Sequence, residues 1–570
     1  MRQPGRGTAW LRVANFAALK PRQPIRRRGI VANARAGLVL GVESIPDSLA
    51  SGVLAGVSPV AGLYGGMFGM LGGVLFTGTG LLAVQSTGAM AILVADVDLE
   101  ALGDPQAVLC TLTLLTGLTM VLAGILRADR LLRFVSHSVM TGFVSAVGVS
   151  IVLGQLDNAT GYTSEGANRI LRAFDLLIHP GSVHLPTLAV AVLTAGLIVL
   201  LRRTRLGALG MVVAVAAGSL AAAGLEALGH PVALVSQIAD VPASLPAPVL
   251  PSLGAVPDLL LPAASLAFVG LIQGAGISAS LPADGRAPGR LSRDFVGQGA
   301  GNLLAGLFRG MPVGGSMSAS SLAVSGGAAN RTALVLAAIT MALLVLFAAP
   351  MIGLVAMPAL AALLIVIGFG AVKVGKIRSV AGAGQLPATV MAVTFLLTLL
   401  LPLQFAVLVG VGISAVVFVA QQAGGLRLRR IQLERGRAVE TSPPATLPAG
   451  EVVILQPYGA IFYATATTLR EVLPQPDART RDAVVILRLR GAEKAGATLL
   501  RELGDYAGAL RGAGSKLVVV TDNTHLLDQL GGIDSIGEEN LYHSTRTIGE
   551  ALRHAAADAH DWIGGRTAAR

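Results

Sequence analysis

The chain has 570 residues, of which 53% are hydrophobic and only 13% are charged, and its mean hydropathy is +0.70. This composition excludes an ordinary soluble domain and predicts a polytopic membrane protein surrounded by membrane lipid. The formal net charge is +11, but aromatic residues that could stack on bases make up only 4%, so we expect no nucleic-acid partner. The single cysteine excludes an intrachain disulfide.

Residues 1–33 are basic and polar, with a run of arginines at 26–28 and no short apolar core typical of a cleavable signal peptide. Positive residues next to a span mark its cytoplasmic side. We therefore predict that residues 1–33 form a basic cytoplasmic N-terminal arm. The apolar block that follows, residues 34–421, is predicted to be the transmembrane domain.

The first predicted span carries two carboxylates, Glu43 and Asp47, one helical turn apart on one face. A charge in the bilayer core costs at least ~2.5–3.5 kcal/mol on insertion scales, so such residues are usually functional. They are either protonated or hold a cation. We predict a coupling-ion site for Na⁺ or H⁺ at Asp47 and Glu43. For Glu43 the alternative stays open that it only points into a water-filled vestibule.

Two polar breaks interrupt the apolar block, at residues 82–90 and 311–327, and both are rich in glycine, serine or threonine and uncharged. Paired broken segments in the two halves of a chain are typical of secondary-transporter binding sites. We predict two half-helices, over 89–97 and over 317–326, whose N-terminal N–H groups form an anion site without a basic side chain. The predicted substrate-binding residues are Ser86, Thr87, Gly88, Ala89, Ser316, Met317, Ser318 and Ala319, together with Gln273. The alternative is a pair of continuous helices that use small residues for close packing.

Basic clusters recur between the apolar segments at spacings that fit an alternating topology. No lysine or arginine occurs between Arg35 and Arg127, and this interval holds the acidic residues Asp96 and Asp104, which we place on the outer side. The pattern predicts an even number of spans, about fourteen, with both termini in the cytoplasm. We expect a multi-pass protein of the cell inner (plasma) membrane.

The composition changes after residue 421. Residues 422–450 are rich in glycine and proline and are predicted to be a linker. Residues 451–565 alternate strand patterns, at 452–455, 483–487 and 517–521, with a helical pattern at 497–510, which predicts a cytoplasmic α/β domain. Residues 566–570 are predicted to be a tail.

Enzyme signatures are absent from the sequence. The chain has no GxxxxGK[ST] phosphate loop, no HExxH motif and no paired cysteines that could bind a metal. We therefore predict that it is not an enzyme, has no catalytic or metal site, and needs no cofactor, with Na⁺ as a possible coupling ion.

Several stretches together resemble the sulfate permease (SulP) family of anion transporters. They include residues 44–50, 55–59, 134–143, 297–302 and 311–313, and the C-terminal domain is similar to a STAS domain that ends at 536–540. The resemblance implies two inverted repeats of seven segments, arranged as a core domain and a gate domain, and a homodimer. It also implies that the third and tenth segments are half-helices that meet N-terminus to N-terminus at the anion.

The chain departs from this family pattern at four positions. Asp47 replaces a frequent glutamine, Gln273 replaces a frequent acidic residue, and Ala319 replaces a frequent arginine at the anion site. Ala497, with Thr498 beside it, replaces a serine that can be phosphorylated in related soluble proteins. A cation at Asp47 could supply the positive charge that Ala319 lacks. Gln273 either donates to the substrate or bonds across helices.

From these features we predict a secondary active transporter of small inorganic anions of the sulfate or bicarbonate class, working by symport or antiport. Two alternatives stay open. The chain could be a regulatory or sensory membrane protein with little transport. It could also exchange dicarboxylates or chloride, or transport nucleobases, on the same fold.

Overall fold

The computed structural model describes residues 29–568, apart from gaps at 131–135, 167, 205–208, 282–289, 402–404, 406–408, 410–411, 414–415, 418, 421–425, 435–436, 460, 462, 490–495 and 545–549. The chain divides into two compact units, Met1–Ser414 and Ala415–Arg570. Each unit has its own apolar core.

The first unit is helical apart from two short strands. Its helices and strands are α1 (Ile30–Leu54), α2 (Pro59–Phe76), β1 (Val84–Gln85), α3 (Gly88–Ala95), α4 (Pro105–Ile125), α5 (His137–Gly154), α6 (Leu156–Thr160), α7 (Arg169–Ile178), α8 (Leu185–Leu201), α9 (Leu209–Ala227), α10 (Val256–Ser280), α11 (Arg290–Leu307), β2 (Gly314–Gly315), α12 (Met317–Ser325), α13 (Thr332–Gly353), α14 (Met357–Ala371), α15 (Val374–Gly382) and α16 (Gln385–Leu400).

The described residues contain 8 helical stretches that are long and apolar enough to cross a membrane, and shorter apolar helices at Leu185–Leu201 and Gln385–Leu400. Together with α11 and the two short helices α3 and α12, they account for the predicted segments up to residue 400, so the polytopic helical fold is confirmed. The last predicted segment, after Pro402, falls on a stretch in which many residues lie outside the described ranges.

Helix α1 begins at Ile30, inside the stretch that was predicted to be the basic arm. The boundary differs because Ile30, Val31 and Ala32 are apolar and Asn33 has a structural partner. The Asn33 side-chain amide donates to Asn330 Oδ1 at 3.1 Å, and this bond fixes the first turn of the helix.

Glycines allow the central helices to approach closely. A Cβ at Gly117 on α4 would lie 2.8 Å from the Gly299 carbonyl oxygen on α11, and a Cβ at Gly299 would lie 2.6 Å from the Gly117 oxygen. A Cβ at Gly62 on α2 would lie 2.0 Å from the Ser48 oxygen on α1. Small residues at contact faces are typical of membrane helices, where packing replaces the hydrophobic effect between helices. The close fit of α1, α2, α4 and α11 forms the frame around the broken segments.

The second unit is an α/β fold. Its elements are β3 (Arg427–Glu434), β4 (Arg437–Thr441), β5 (Val452–Tyr458), α17 (Tyr463–Val472), β6 (Val484–Leu489), α18 (Ala497–Gly512), β7 (Lys516–Thr521), α19 (Thr524–Gly531), β8 (Leu541–His543) and α20 (Glu550–Ala568). The six strands form one sheet in the order β4-β3-β5-β6-β7-β8, parallel from β5 to β8 and antiparallel at β3 and β4.

Alternate side chains of the parallel strands cover the two faces of this sheet. Val485 and Leu487 lie in a cluster with α17, α18 and α19, whereas Val484 and Ile486 lie in a cluster with α20. This alternation is the normal consequence of strand geometry, in which successive side chains point to opposite faces. The predicted strands and the predicted helix of the C-terminal domain are therefore confirmed.

The boundaries of this unit differ from the sequence prediction at both ends. Strands β3 and β4 occupy 427–441, inside the predicted linker at 422–450. The basic residues at 427–430 had been interpreted as marking the cytoplasmic end of the last membrane span. In the structure they belong to a strand of the sheet, in which Leu428 and Ile431 are buried. At the other end, α20 continues through Arg566 to Ala568, into the predicted tail at 566–570. Arg566 packs over the Trp562 ring at 4.8 Å and so keeps the last turn ordered.

Glu502 on α18 gives this unit a pH-dependent stability. Arg470 donates to its carboxylate at 3.0 Å and Arg501 at 3.2 Å, and these hydrogen bonds hold the pKa of Glu502 below its usual value. A lowered folded-state pKa means that the stabilisation is complete above the pKa of an unfolded glutamate, about 4.3. The stabilisation is lost as the pH falls through the folded-state pKa.

We therefore expect Glu502→Gln to lower the urea midpoint of a fragment of residues 426–568 at pH 7 and to leave it unchanged at pH 2, where the native carboxyl is also neutral. Circular dichroism during urea unfolding at both pH values measures this. Glu471→Gln, at an exposed position of α17, is the matched control. An equal loss of stability at both pH values would contradict the assignment.

Candidate functional site

The two polar breaks meet as a short pair of strands in the middle of the helical unit. Strand β1 pairs with β2 in antiparallel register, with Val84 opposite Gly315 and Gln85 opposite Gly314, and both strands are buried. Each strand is followed within three residues by a half-helix. Because the strands run in opposite directions and are only two residues long, the half-helices leave the pair in opposite directions and start at its two ends.

The half-helices begin where the sequence predicted. Helix α3 begins at Gly88, capped by Thr87, whose Oγ1 accepts the Met90 N–H. Helix α12 begins at Met317, capped by Ser316, whose Oγ accepts the Ala319 N–H. Serine and threonine are preferred caps because their oxygens satisfy N–H groups that have no partner in the first turn. Each cap side chain accepts the N–H group of the third residue of its helix, and the N–H groups of the first two residues take no part in this bond.

Amide side chains of α11 satisfy the irregular backbone before α12. Asn302 Oδ1 accepts the Val313 N–H at 2.9 Å, and its Nδ2 donates to the Val313 oxygen at 2.8 Å. Gln298 Oε1 accepts the Gly315 N–H at 3.0 Å. Non-helical backbone at membrane depth persists only when protein or cavity water satisfies its polar groups. These two buried amides therefore hold the strand in place.

Some of the predicted substrate-binding residues converge at the helix starts and are accessible. Thr87 and Gly88 are half-buried, and Thr87 Oγ1 donates to Gln273 Oε1 on α10 at 3.4 Å. Met317 and Ser318, on the first turn of α12, are exposed. Gln273 also lies against β2, because a Cβ at Gly314 would be 3.4 Å from its Oε1. Thr87 and Gln273 thus meet beside β2, and the exposed first turn of α12 follows that strand.

The other predicted residues are buried in the frame of the site. Ser86 Oγ donates to the Gly62 oxygen on α2 at 2.7 Å, which directs it away from the start of α3. Ala89 and Ala319 lie in the main apolar cluster, and the Ala319 side chain is fully buried. Ser316 is buried with its hydroxyl turned back to its own helix and to Gln85. The position at which the family resemblance implies an arginine is therefore a packed one in this chain.

The two predicted coupling residues are both buried on α1. Asp47 is 7% exposed and Glu43 is 3% exposed. Asp47 Oδ2 accepts a hydrogen bond from Gln85, whereas Glu43 Oε2 has no hydrogen-bond partner among the described residues. A buried oxygen without a partner is costly when the group is ionised. Glu43 and Asp47 are thus placed where a bound proton or cation would lower the free energy.

Gln85 connects these carboxylates to the half-helices, and the sequence reasoning missed it. Its Nε2 donates to Asp47 Oδ2 at 3.0 Å and to Ser316 Oγ at 3.2 Å, while its Oε1 accepts from Ser44 Oγ at 3.0 Å. The side chain is fully buried. The available signal was an amide side chain inside the polar break, two residues before Thr87.

No cluster of three or more histidine, cysteine, aspartate or glutamate side chains that could hold a metal ion occurs among the residues that the structure describes. The hydrogen-bonding groups around the half-helix starts are hydroxyls, amides and backbone N–H groups, with carboxylates only on α1. Such an array can bind an anion by hydrogen bonds and helix dipoles, with a neutralising cation nearby.

Comparisons with known proteins agree with this architecture. Residues 31–394 match the model of the sulfate permease family. The chain is 25% identical to a protein of Arabidopsis thaliana named probable sulfate transporter 4.2, over 88% of this chain and 78% of that one. It is also 25% identical to the bicarbonate transporter BicA of Synechocystis, over 91% of this chain and 93% of that one.

Solved structures share the fold. The murine Solute Carrier 26 family member A9 anion transporter, in the inward-facing state, superimposes with a TM-score of 0.78 at 17% identity, covering 98% of this chain and 96% of that one. The transmembrane domain of a cyanobacterial bicarbonate transporter, BicA, superimposes with a TM-score of 0.58 at 23% identity, covering 69% of this chain and 98% of that one.

These matches confirm the resemblance of residues 31–394 to the sulfate permease family. The relatives are named as transporters, so the prediction that the chain is not an enzyme is also confirmed. The family model covers well over half of the chain. The chain therefore belongs to the sulfate permease family.

Proposed function

We propose that this chain is a secondary active transporter of small inorganic anions of the sulfate or bicarbonate class. The observation that carries the proposal is the buried β1–β2 pair, which brings the starts of α3 and α12 together beside Gln273. The names of the relatives supply the substrate class, since they include both sulfate and bicarbonate transporters.

The anion is held by hydrogen bonds rather than by a basic side chain. In this proposal the N–H groups of Gly88 and Ala89 face those of the first turn of α12, with Thr87, Ser318 and Gln273 as side-chain contacts. Each helix terminus contributes about 0.3–1 kcal/mol, and up to about 2 kcal/mol when partly buried. Two termini alone bind a divalent anion weakly, which is the reason to look for a compensating cation.

Asp47 supplies the place for that cation. A proton or Na⁺ at Asp47 neutralises a buried carboxylate and places positive charge near the α12 cap through Gln85. With Asp47 ionised and empty, the same carboxylate repels an incoming anion. Anion and cation binding are then mutually favourable, and such coupling is reciprocal by thermodynamic necessity. Glu43 is a second candidate for the coupling ion on the same helix.

The remaining features of the proposal concern assembly and location. We propose a homodimer in the cell inner (plasma) membrane, with both termini and the basic clusters in the cytoplasm. The C-terminal unit, with its mixed sheet and helices on both faces, is proposed to be a STAS domain that regulates transport or supports the dimer. Ala497, at the start of α18, has no hydroxyl for phosphorylation, and Thr498 is the adjacent alternative.

Purified protein in proteoliposomes tests the proposal directly. Uptake of radiolabelled sulfate and bicarbonate should be saturable and should rise when an inward Na⁺ or H⁺ gradient is imposed. Absence of uptake for both anions under every gradient would contradict the transporter assignment and favour a regulatory protein.

The start of α12 is the first position to test. Ser318→Asp would put a fixed negative charge where the anion binds. Two unit charges 4 Å apart repel by about 4 kcal/mol at an effective dielectric of 20, so anion affinity should fall about a thousandfold. The measurement is the concentration dependence of uptake. Ser318→Asn is the matched neutral control and should retain most of the affinity. Equal affinities for the two variants would show that the anion binds elsewhere.

The coupling carboxylate is tested by Asp47→Asn. Because asparagine can neither bind a proton at neutral pH nor balance Na⁺, uptake driven by a cation gradient should be abolished while the protein remains folded. Uptake with and without the gradient measures the coupling, and size-exclusion chromatography shows whether the protein remains folded. Glu43→Gln is the matched comparison. If that variant loses coupling and Asp47→Asn keeps it, Glu43 and not Asp47 holds the ion.

Gln85→Met tests whether Gln85 links Asp47 to the cap of α12. It keeps the length of the side chain but leaves Asp47, Ser44 and Ser316 without their shared partner. A buried polar group without a partner costs about 1–3 kcal/mol, so anion affinity should fall roughly fivefold to 150-fold, and the dependence on the cation gradient should weaken as well. Thr340→Val, which removes a hydroxyl bonded only to the Leu336 oxygen of its own helix, is the control. Normal affinity together with normal coupling in Gln85→Met would rule out this link.

A further inference from the structure

Helix α7 presents an apolar surface that is largely exposed in the described structure. Leu171, Phe174 and Ile178 are 51–63% exposed, and their spacing of three and four residues puts them on one side of the helix. Leu177, at the edge of this side, is 75% exposed. We call these four residues the apolar side of α7. Large apolar side chains of a ten-residue helix are rarely left in water together.

Polar contacts fix α7 to the protein at Asp175, on the flank next to Leu171, and at Arg169, on the side opposite the apolar side. Asp175 Oδ2 accepts from the Tyr162 hydroxyl at 2.9 Å and from the Glu165 N–H at 2.9 Å. Arg169 Nη2 donates to Asp96 Oδ1 at 2.8 Å and to the Ile92 oxygen at 3.3 Å. These contacts set the rotation of the helix about its axis, so the apolar side points away from the protein.

The position of α7 in the chain places it at a membrane face. It lies between α6, which ends at Thr160, and α8, which begins at Leu185, and the His184 N–H donates to the Thr160 oxygen at 2.9 Å. The chain therefore leaves one membrane-spanning stretch and enters the next at this point. A short helix there, with one apolar and one polar side, has the features of an interfacial helix whose apolar side enters the lipid.

We propose that α7 lies in the bilayer interface with its apolar side in the lipid, and that Arg169 ties the outer end of half-helix α3 to this lipid-anchored helix. The partner surface is the acyl-chain boundary of the bilayer, since the apolar side of α7 carries no charged residue. The consequence for transport rests on the proposed anion site at the start of α3.

Arg169 is placed at the end of α3 that is opposite the anion site. Ile92 is one of the last four residues of α3, whose carbonyl groups have no partner within the helix. A cation at a helix C-terminus also interacts favourably with the helix dipole. An eight-residue helix is about 12 Å long, so Arg169 and the proposed anion site lie at the two ends of one rigid element. Movement of α3 past α7 requires this ion pair to break.

Lipid contact is tested first, on full-length protein in proteoliposomes. Cys110 is the only cysteine, so a Cys110→Ala background allows a single fluorescent label at Phe174→Cys. The matched control is Glu165→Cys, an exposed residue of the loop before α7. We expect a lipid with a nitroxide near the headgroup to quench the label at 174 at least twofold more than the label at 165, and aqueous iodide to quench it less.

Two results would overturn the proposal. Equal iodide quenching at 174 and 165 would place the apolar side in water. Protection of position 174 from both quenchers, lost when the protein is diluted in lipid, would place it against a second copy of the chain. Neither measurement depends on transport, so the lipid contact is tested even if the proposed function fails.

The tie to α3 is tested by uptake in vesicles of short-chain and long-chain phosphatidylcholine. We expect the ratio of the two uptake rates to change at least threefold in Arg169→Gln and in Asp96→Asn, and to return toward the native ratio in the charge-swapped pair Arg169→Asp with Asp96→Arg. Arg172→Gln, on the same helix but bonded only to the Gly166 oxygen in its own loop, is the control. An unchanged ratio in Arg169→Gln, in protein that still transports, would overturn the tie and leave the proposed function intact.

Discussion

The pairing of β1 with β2 is the constraint on which the rest of the membrane unit depends. Extended backbone in the middle of a membrane protein is stable only if its N–H and C=O groups are satisfied. The two strands satisfy part of this need through each other, and Gln298, Asn302 and Ser320 satisfy more of it from outside the pair. The close approach of α2, α4 and α11 through glycine brings these side chains near enough. The packing of the frame thus holds the strand pair from which both half-helices start.

The site compensates for a missing basic residue in a particular way. Ala319 is packed into the apolar core, so the α12 start has only its dipole and its hydroxyl groups. The nearest link to a charged group is Gln85, which reaches from the cap of α12 to Asp47 on α1. An amide can donate to an ionised carboxylate and to a hydroxyl at once, as Nε2 does here. In the proposed coupling, a cation at Asp47 competes with Gln85 for the carboxylate and so alters the hydrogen bonding of the α12 cap.

The sequence was sufficient for features that depend on local composition and insufficient for those that depend on distant partners. The starts of both half-helices followed from glycine- and serine-rich breaks in apolar segments, and the parallel strands followed from buried apolar runs. Gln85 was missed because its partners lie 38 and 231 residues away along the chain. Strand β3 was missed because its three arginines fit a topology signal, and only the paired strands show that Leu428 and Ile431 are buried, on opposite faces of the sheet. The orientation of Ser86 toward Gly62 likewise depends on a neighbouring helix.

The contacts at the far ends of the half-helices show which parts of the site can move together. Beyond α12, the Ala329 and Asn330 N–H groups donate to Asn33 Oδ1 on α1. Because α1 also carries Asp47, the α12 segment is tied to α1 at both of its ends, by Asn33 and through Gln85. Helix α3 is joined to α1 and α12 through β1, but its far end is held by Arg169 on α7. A rearrangement that keeps the proposed anion and cation sites together can therefore preserve the hydrogen bonds of Asn33 and Gln85. If α3 also moves past α7, the ion pair between Arg169 and Asp96 must break.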